Sequence, residues 1–281
     1  MLVKRNSPTL LEDITTIVKQ YYVEGSRKDV VAPEDVFVDF DARYIPSILN
    51  KGRLSEEDFV VFERFTNPHD LILDIGANCG CSVADIWCSG ARTHVISYEP
   101  NPVFRGALET VRLLNPDRYQ YNMYGLADVK SSLKFVAPVI AGIPDTGLTT
   151  ANDPIHTHYW IARHIMNQVL GRQTPEVEVQ FVELIADVNR LDDVLVTDRK
   201  VVAMKLDVED FEFQVLRGSV ETLKKHKPLV MLEQGNRIVG LQDWMKTLGY
   251  EYAERVGHEL KQYSGLSTQT NGYFIHPDTW R

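Results

Sequence analysis

Four short apolar runs recur along the chain: Leu71-Ile72-Leu73, His94-Val95-Ile96-Ser97-Tyr98, Val201-Val202-Ala203-Met204-Lys205-Leu206 and Pro228-Leu229-Val230-Met231-Leu232. None alternates strictly between polar and apolar residues, as a half-exposed strand would. Short β-branched-rich runs of this kind suit parallel strands buried on both faces. Helical stretches lie between them, at 82–89, 102–114 and 211–225. This rhythm predicts an α/β fold with a doubly wound, Rossmann-like sheet. The carboxyl-terminal part departs from it. A helix over 241–248 is followed by Tyr250-Glu251-Tyr252-Ala253 and Gly272-Tyr273-Phe274-Ile275-His276 with no helix between, which predicts an antiparallel pair at that edge.

The segments outside the sheet read differently. Leu10, Ile14, Ile17 and Tyr21 share one helical face, opened by the capping pattern Thr9-x-x-Glu12. A short strand at Val36-Phe37-Val38 follows, then a second capped helix opened by Ser55-x-x-Asp58 and carrying Phe59 and Phe62. Asn67-Pro68 closes this section. Residues 1–66 are therefore expected to form an N-terminal cap on the substrate side, and 67–281 the main domain. Residues 137–176 interrupt the rhythm between the strand-like Leu133–Val136 and Val177–Val182. Asp153-Pro154 can start a helix there in which Ile161, Ile165 and Val169 share a face and which Gly171 ends. The insertion reads as a lid over the sheet or, more plainly, as a surface excursion.

Charge and cysteine content narrow the partners. Thirty Lys and Arg stand against 39 Asp and Glu, a net −9 over 281 residues, which disfavours a nucleic-acid binder. The densest basic stretch, Lys224-Lys225-His226-Lys227, suits the carboxyl end of a helix. Cys79, Cys81 and Cys88 are an odd number crowded into ten residues. They exclude a disulfide framework, favour a reducing and hence cytoplasmic compartment, and lack a fourth zinc ligand at finger-like spacing. No apolar window reaches the roughly 18 residues of a membrane span, and no signal-type apolar segment follows the N-terminal charges.

The most informative stretch is Leu71-Ile72-Leu73-Asp74-Ile75-Gly76-Ala77-Asn78-Cys79-Gly80. A buried strand ends in an acid, then a small-residue turn opens a helix whose first N–H groups are free. The G-x-x-x-G spacing is not the G-x-G-x-x-G of dinucleotide sites. A second acid, Glu99, ends the next strand in Glu99-Pro100-Asn101. Neighbouring strand ends meet at the topological switch point, where such a carboxylate can accept hydrogen bonds from both ribose hydroxyls.

Asp74-x-Gly76-Ala77-Asn78-x-Gly80, Glu99-Pro100-Asn101 and Lys205-Leu206-Asp207-Val208-Glu209 with Leu216-x-Gly218 resemble the FkbM-type S-adenosylmethionine-dependent methyltransferases, over roughly residues 55–235. The resemblance implies a seven-stranded class I methyltransferase sheet ending in an antiparallel hairpin. It implies methylation of a hydroxyl on a small-molecule secondary metabolite or on a saccharide or glycolipid. It implies that Gly76, Ala77, Asn78 and Gly80 wrap the methionine part of the cofactor above Asp74, and that Glu99 binds the ribose. Gly125, Leu126 and Asp128, in Tyr124-Gly125-Leu126-Ala127-Asp128, are expected beside the adenine, and Ser82 and Asn101 complete the cofactor set. The family's D-V-E-G becomes Asp207-Val208-Glu209-Asp210 here, and Asp tolerates left-handed backbone better than most residues.

Asp207, Glu209, Asp210 and Glu212 crowd one strand-to-helix junction, where acids also suit the helix dipole. Asp207 ends a central strand, and Glu233 occupies the equivalent place on the next. Asp207, Glu233 and Glu209 are the expected catalytic set, with His156 and His158 of the insertion as further candidates beside His164, Tyr159 and Trp160. The acids can act as base and anchor without metal, which is the favoured version, or with Asn236 hold a divalent cation such as Mg²⁺. A non-catalytic cofactor-binding module is the competing class. A homodimer is an assembly open to either.

Overall fold

The computed structural model describes residues 54, 56–140, 143–144, 179–233, 239–264 and 269–280. The expected helix from Thr9, the strand at Val36, Ser55, residues 145–176 of the insertion and Asn236 lie outside them. Among the described residues, no helix is long and apolar enough to cross a membrane.

Among the described residues twelve strands follow in order: β1 (Leu71–Ile75), β2 (His94–Tyr98), β3 (Tyr119–Asn122), β4 (Gly125–Leu126), β5 (Ser131–Ile140), β6 (Ile143–Pro144), β7 (Val179–Asn189), β8 (Val201–Leu206), β9 (Leu229–Glu233), β10 (Glu251–Val256), β11 (Glu259–Gln262) and β12 (Asn271–Ile275). Eight form the main sheet, in the order β11-β10-β12-β9-β8-β1-β2-β3. The five from β3 to β9 run parallel, whereas β12 lies antiparallel between β9 and β10. The doubly wound sheet and its antiparallel end are as expected. The strand count is eight rather than seven, because β11 adds an edge that reads Glu-Leu-Lys-Gln and stays mostly exposed. So polar a strand carries little apolar signal.

Burial explains the missing alternation. All five residues of β1 are buried; Ile72 packs into one core cluster, and Leu71, Leu73 and Ile75 pack into the other on the opposite face. At roughly 1.5–3 kcal/mol per fully buried large apolar side chain, such two-sided strands anchor the domain. Strand order reverses between β1 and β8, so their carboxyl ends open a crevice.

Three sequence expectations shift. The helix expected over 211–225 is two helices, Glu212–Arg217 and Val220–His226, broken at Gly218-Ser219. A Cβ on Gly218 would overlap the Ala127 carbonyl, so close packing holds the break. The second helix is capped from outside, with Asp192 accepting the Glu221 and Thr222 amides at 2.9 Å each. The capped helix expected at Ser55-x-x-Asp58 is a 3₁₀ helix, Glu57–Arg64, without a side-chain cap. Asp58 instead accepts from Arg255 Nε (2.8 Å) and Asn271 Nδ2 (3.0 Å), while Phe59 and Phe62 are buried as expected. Finally, β5 continues past Val136 to Ile140 and pairs antiparallel with β7, from Ser131 opposite Val188 to Ile140 opposite Val179. Residues 137–140 thus belong to a ladder, in a second sheet ordered β4-β7-β5-β6, and not to the insertion.

Candidate active site

The turn after β1 is built by backbone geometry. Gly76, Asn78 and Gly80 all have positive φ (77°, 50° and 87°). A Cβ on Gly76 would overlap the carbonyl oxygen of Asp207, so only glycine lets the turns after β1 and β8 touch. Gly76 N and Ala77 N donate to the Tyr98 carbonyl at 2.9 and 3.2 Å, and Gly80 N donates to Ala77 O at 2.8 Å. Gly80 then caps the helix Cys81–Cys88.

Asp74 is fully buried beneath this turn, accepting from Ser82 Oγ and Ser97 Oγ at 2.8 Å each. Lys205, on β8, completes the support. Its Nζ lies 2.8 Å from Gly76 O, 3.5 Å from Asp74 Oδ1 and 3.4 Å from Asp207 Oδ2. Burial alone would lower its proton affinity, but the Asp207 and Asp74 carboxylates outweigh that and hold the ammonium above its ordinary range. One buried cation therefore ties the glycine turn to the acid at the next strand tip.

Glu99 is buried at the end of β2. Its Oε2 accepts from Asn78 N and its Oε1 from Asn101 N, both at 2.8 Å. Burial pushes its carboxyl up to about 7, against these two amide bonds, which favour the charged form. A carboxylate offers about four lone-pair sites, so among the described residues two acceptor positions remain. A cleft opens beside it. Asn78, Glu99, Asp207 and Glu209 supply its polar lining, and Tyr98, Phe104, Leu126, Val208 and Phe211 its apolar walls.

The far end of the cleft is acidic. Glu209 and Asp210 both adopt left-handed backbone, with φ 50° and 72°, which turns the loop sharply after β8. Burial, followed by the Asp207, Glu233, Glu212 and Asp210 charges, pushes Glu209 up to about 8. Burial also raises Glu212, to about 7, while its Oε1 accepts from Val208 N at 3.2 Å; that side chain braces the loop. Asp207, Glu209 and Glu233 each offer a carboxylate oxygen, and these oxygens lie within 4.8 Å of one another. Such a set has the hard-oxygen chemistry of a divalent-cation site, although Asp207 is exposed and such groupings also occur without an ion.

The structure thus gathers Gly76, Asn78, Glu99, Gly125, Leu126, Asp207 and Glu209 around one cleft, with Glu233 beside the last two. Asp74, Ala77, Gly80, Ser82 and Asn101 lie in or beneath the turns and do not line it. Asp128 is engaged elsewhere, paired with Arg217 at 2.6 Å. His156 and His158 lie outside the described residues. Lys205 was not among the expected site residues, yet a lysine inside an otherwise apolar buried strand was a readable signal. The aromatic walls Tyr98, Phe104 and Phe211 carried none, since aromatics in such positions usually serve a core.

Fold and cleft together define a class: a doubly wound α/β protein with a buried carboxylate at its switch point and a cluster of acids along the same cleft. Residues 74–255 match the family model described as the methyltransferase FkbM domain, so the chain belongs to that family. The match extends past the motif blocks into β10. No curated protein matches the chain. Among solved structures, the methyltransferase FkbM from Methylobacillus flagellatus KT is 15% identical with a TM-score of 0.43; the alignment covers 83% of this chain and 59% of that one. A precorrin-6y C5,15-methyltransferase from Geobacter metallireducens GS-15 is 11% identical with a TM-score of 0.37, over 77% of this chain and 83% of that one.

Proposed function

We propose that this protein is a methyltransferase that uses S-adenosylmethionine and methylates a hydroxyl oxygen of a small-molecule acceptor in the cytoplasm. The observation that carries the reading is the meeting of Asp207, Glu209 and Glu233 at the end of the cleft that Glu99 and the glycine turn open. The residues present fit the cofactor. The two free acceptor positions on Glu99 suit a pair of ribose hydroxyls, and Gly125 and Leu126 offer a flat flank for adenine. The backbone of residues 76–80 would hold the methionine part. When bound, the cofactor supplies a methyl group already activated on a sulfonium.

The protein's remaining tasks are alignment and proton removal. Glu209, raised to about 8, takes up a proton readily near neutral pH, which supports its receiving the one that an acceptor hydroxyl must lose. Asp207, steadied by Lys205, and Glu233 anchor the acceptor beside it. The 4.8 Å grouping of the three acids favours a second reading, in which Asp207, Glu209 and Glu233 would hold a divalent cation such as Mg²⁺, which would supply Lewis acidity beside the acceptor hydroxyl. Chelation by EDTA separates the two: activity that survives supports the metal-free base, and activity lost and restored by Mg²⁺ supports the cation.

Incubating the protein with methyl-labelled S-adenosylmethionine and a panel of polyhydroxylated metabolites and saccharides tests the whole reading. The expected product carries label in an O-methyl group. Label found only on nitrogen or carbon would overturn the oxygen assignment. Failure to bind S-adenosylhomocysteine in calorimetry would overturn the cofactor.

A further inference from the structure

We propose that Cys79 and Cys81 form an oxidisable dithiol, a site of reversible modification by peroxides or small disulfides, and that closing it weakens cofactor binding; the second part rests on the cofactor reading above. The two residues flank Gly80, and their Sγ atoms lie 3.3 Å apart. Gly80 sits between them in left-handed backbone, φ 87° and ψ 16°, a bend that lets both side chains leave the turn on the same side. Both residues are half-buried at the edge of a core cluster, which leaves a path for a small oxidant. Cys81 is also the first residue of the helix Cys81–Cys88, and Cys88 lies at its other end. Burial and the neighbouring Asp85 charge raise the proton affinity of Cys88 and keep it a thiol.

The chemistry balances with peroxide as the named oxidant. A thiolate of the pair attacks one peroxide oxygen, the O–O bond breaks, and a sulfenic acid forms as hydroxide leaves and takes a proton. The second thiolate attacks that sulfur, the S–O bond breaks, and the disulfide forms as the oxygen leaves as water. Two thiols are oxidised, one peroxide is reduced, and two waters result. A disulfide needs its sulfurs near 2.05 Å, so the pair must close by roughly 1.2 Å. A ring spanning only one intervening residue is strained and therefore easily reduced again, which suits a transient mark in a reducing compartment.

The consequence for the cofactor follows from what the same peptides hold. Cys79 N donates to Asn78 Oδ1 at 2.7 Å, and Asn78 N donates to Glu99 Oε2 at 2.8 Å. Drawing the sulfurs together rotates the peptides on either side of Gly80 and disturbs this chain of bonds. The turn and the ribose carboxylate then lose their shared geometry.

The test uses the full chain carrying Cys88→Ser, so that the third thiol cannot react, reduced or treated with one equivalent of hydrogen peroxide. Intact mass should fall by two hydrogens, and peptide mapping should place the link between Cys79 and Cys81. S-adenosylhomocysteine affinity should drop at least about tenfold, a loss of about 1.4 kcal/mol, and return with dithiothreitol. Oxygen adducts on one cysteine in place of the link would overturn the dithiol. A clean link with affinity changed less than about twofold would overturn the effect on binding. If the reduced protein does not bind S-adenosylhomocysteine, the cofactor reading fails and the effect on binding falls with it. The mass measurement still decides the dithiol.

Discussion

Each oxygen of the Glu99 carboxylate takes one backbone N–H, from Asn101 and from Asn78, so the side chain serves the fold besides the role proposed for it. Glu99→Ala should therefore act twice. It should weaken S-adenosylhomocysteine binding by about 1.5–3 kcal/mol, the range for hydrogen bonds to a charged group, and leave two amides without acceptors at about 1–3 kcal/mol of stability. Calorimetry and urea unfolding read the two separately; unchanged affinity would leave Glu99 a purely structural residue. Because ribose hydroxyls need the ionised form, affinity in the native protein should rise with pH through about 7, and this dependence should vanish in the variant. Asp210 makes a complementary case. At φ 72° it occupies left-handed backbone where the resembling family has glycine, and it adds a charge that helps to raise Glu209. Asp210→Gly should raise stability by up to about 1 kcal/mol, since the relief of strain exceeds the entropy that glycine adds to the unfolded chain. A lower unfolding midpoint in this variant would show that the Asp210 side chain supports the loop.

Gly218 shows how an element's ends can be set by a neighbour in space. Its missing side chain admits the Ala127 carbonyl, and the helix periodicity over 211–225 runs through that point without recording it. Gly218→Ala should destabilise the domain by more than the roughly 1 kcal/mol that alanine ordinarily gains over glycine in a helix, with the sign reversed, because backbone must move to admit the Cβ. A stabilised variant in thermal unfolding would mean that the break is local and soft. The same reasoning separates what was legible from what was not. The buried strands β1, β2, β8 and β9 could be read because two-sided burial leaves an apolar run in any context, and the turn after β1 because its glycines and acids have few other uses. The edge strand β11, the cap that Asp192 provides across the fold, and the length of β5 depend on partners far along the chain. Lys205 stood in plain view within Val201–Leu206, yet only the structure shows it joining Asp74, Gly76 and Asp207.

Across the whole molecule, the acids of the cleft make folding stability depend on pH in a direction opposite to the usual acid denaturation. Glu99, Glu212 and Glu209 hold their protons up to about 7, 7 and 8, above the ordinary carboxylate value of 4.5, chiefly because they are buried. The folded state then binds more protons than the unfolded one between 4.5 and about 8, so stability from these groups is full below 4.5 and is lost as pH rises through their folded values. Other groups act elsewhere. Burial lowers the proton affinity of His94, His226 and His276, which makes stability rise with pH up to 6.5, though their partial exposure screens the effect. Glu109, held down to about 2 by its bonds to Arg112 and Tyr121, matters only below 4.5. Among the described residues the buried acids Glu99, Glu212 and Glu209 are left to decide between pH 6.5 and 8.5, and the melting temperature should fall across that window. Glu209→Gln removes the group that titrates last, so it should flatten the upper half of the slope and melt higher than the native chain at pH 8.5, with little difference at pH 6. A native melting temperature that stays level or rises from pH 6.5 to 8.5 would mean that these carboxyls are already ionised at neutral pH. Glu209 would then be too weak a base for the role proposed for it, and the reading with a cation among the three acids would take precedence.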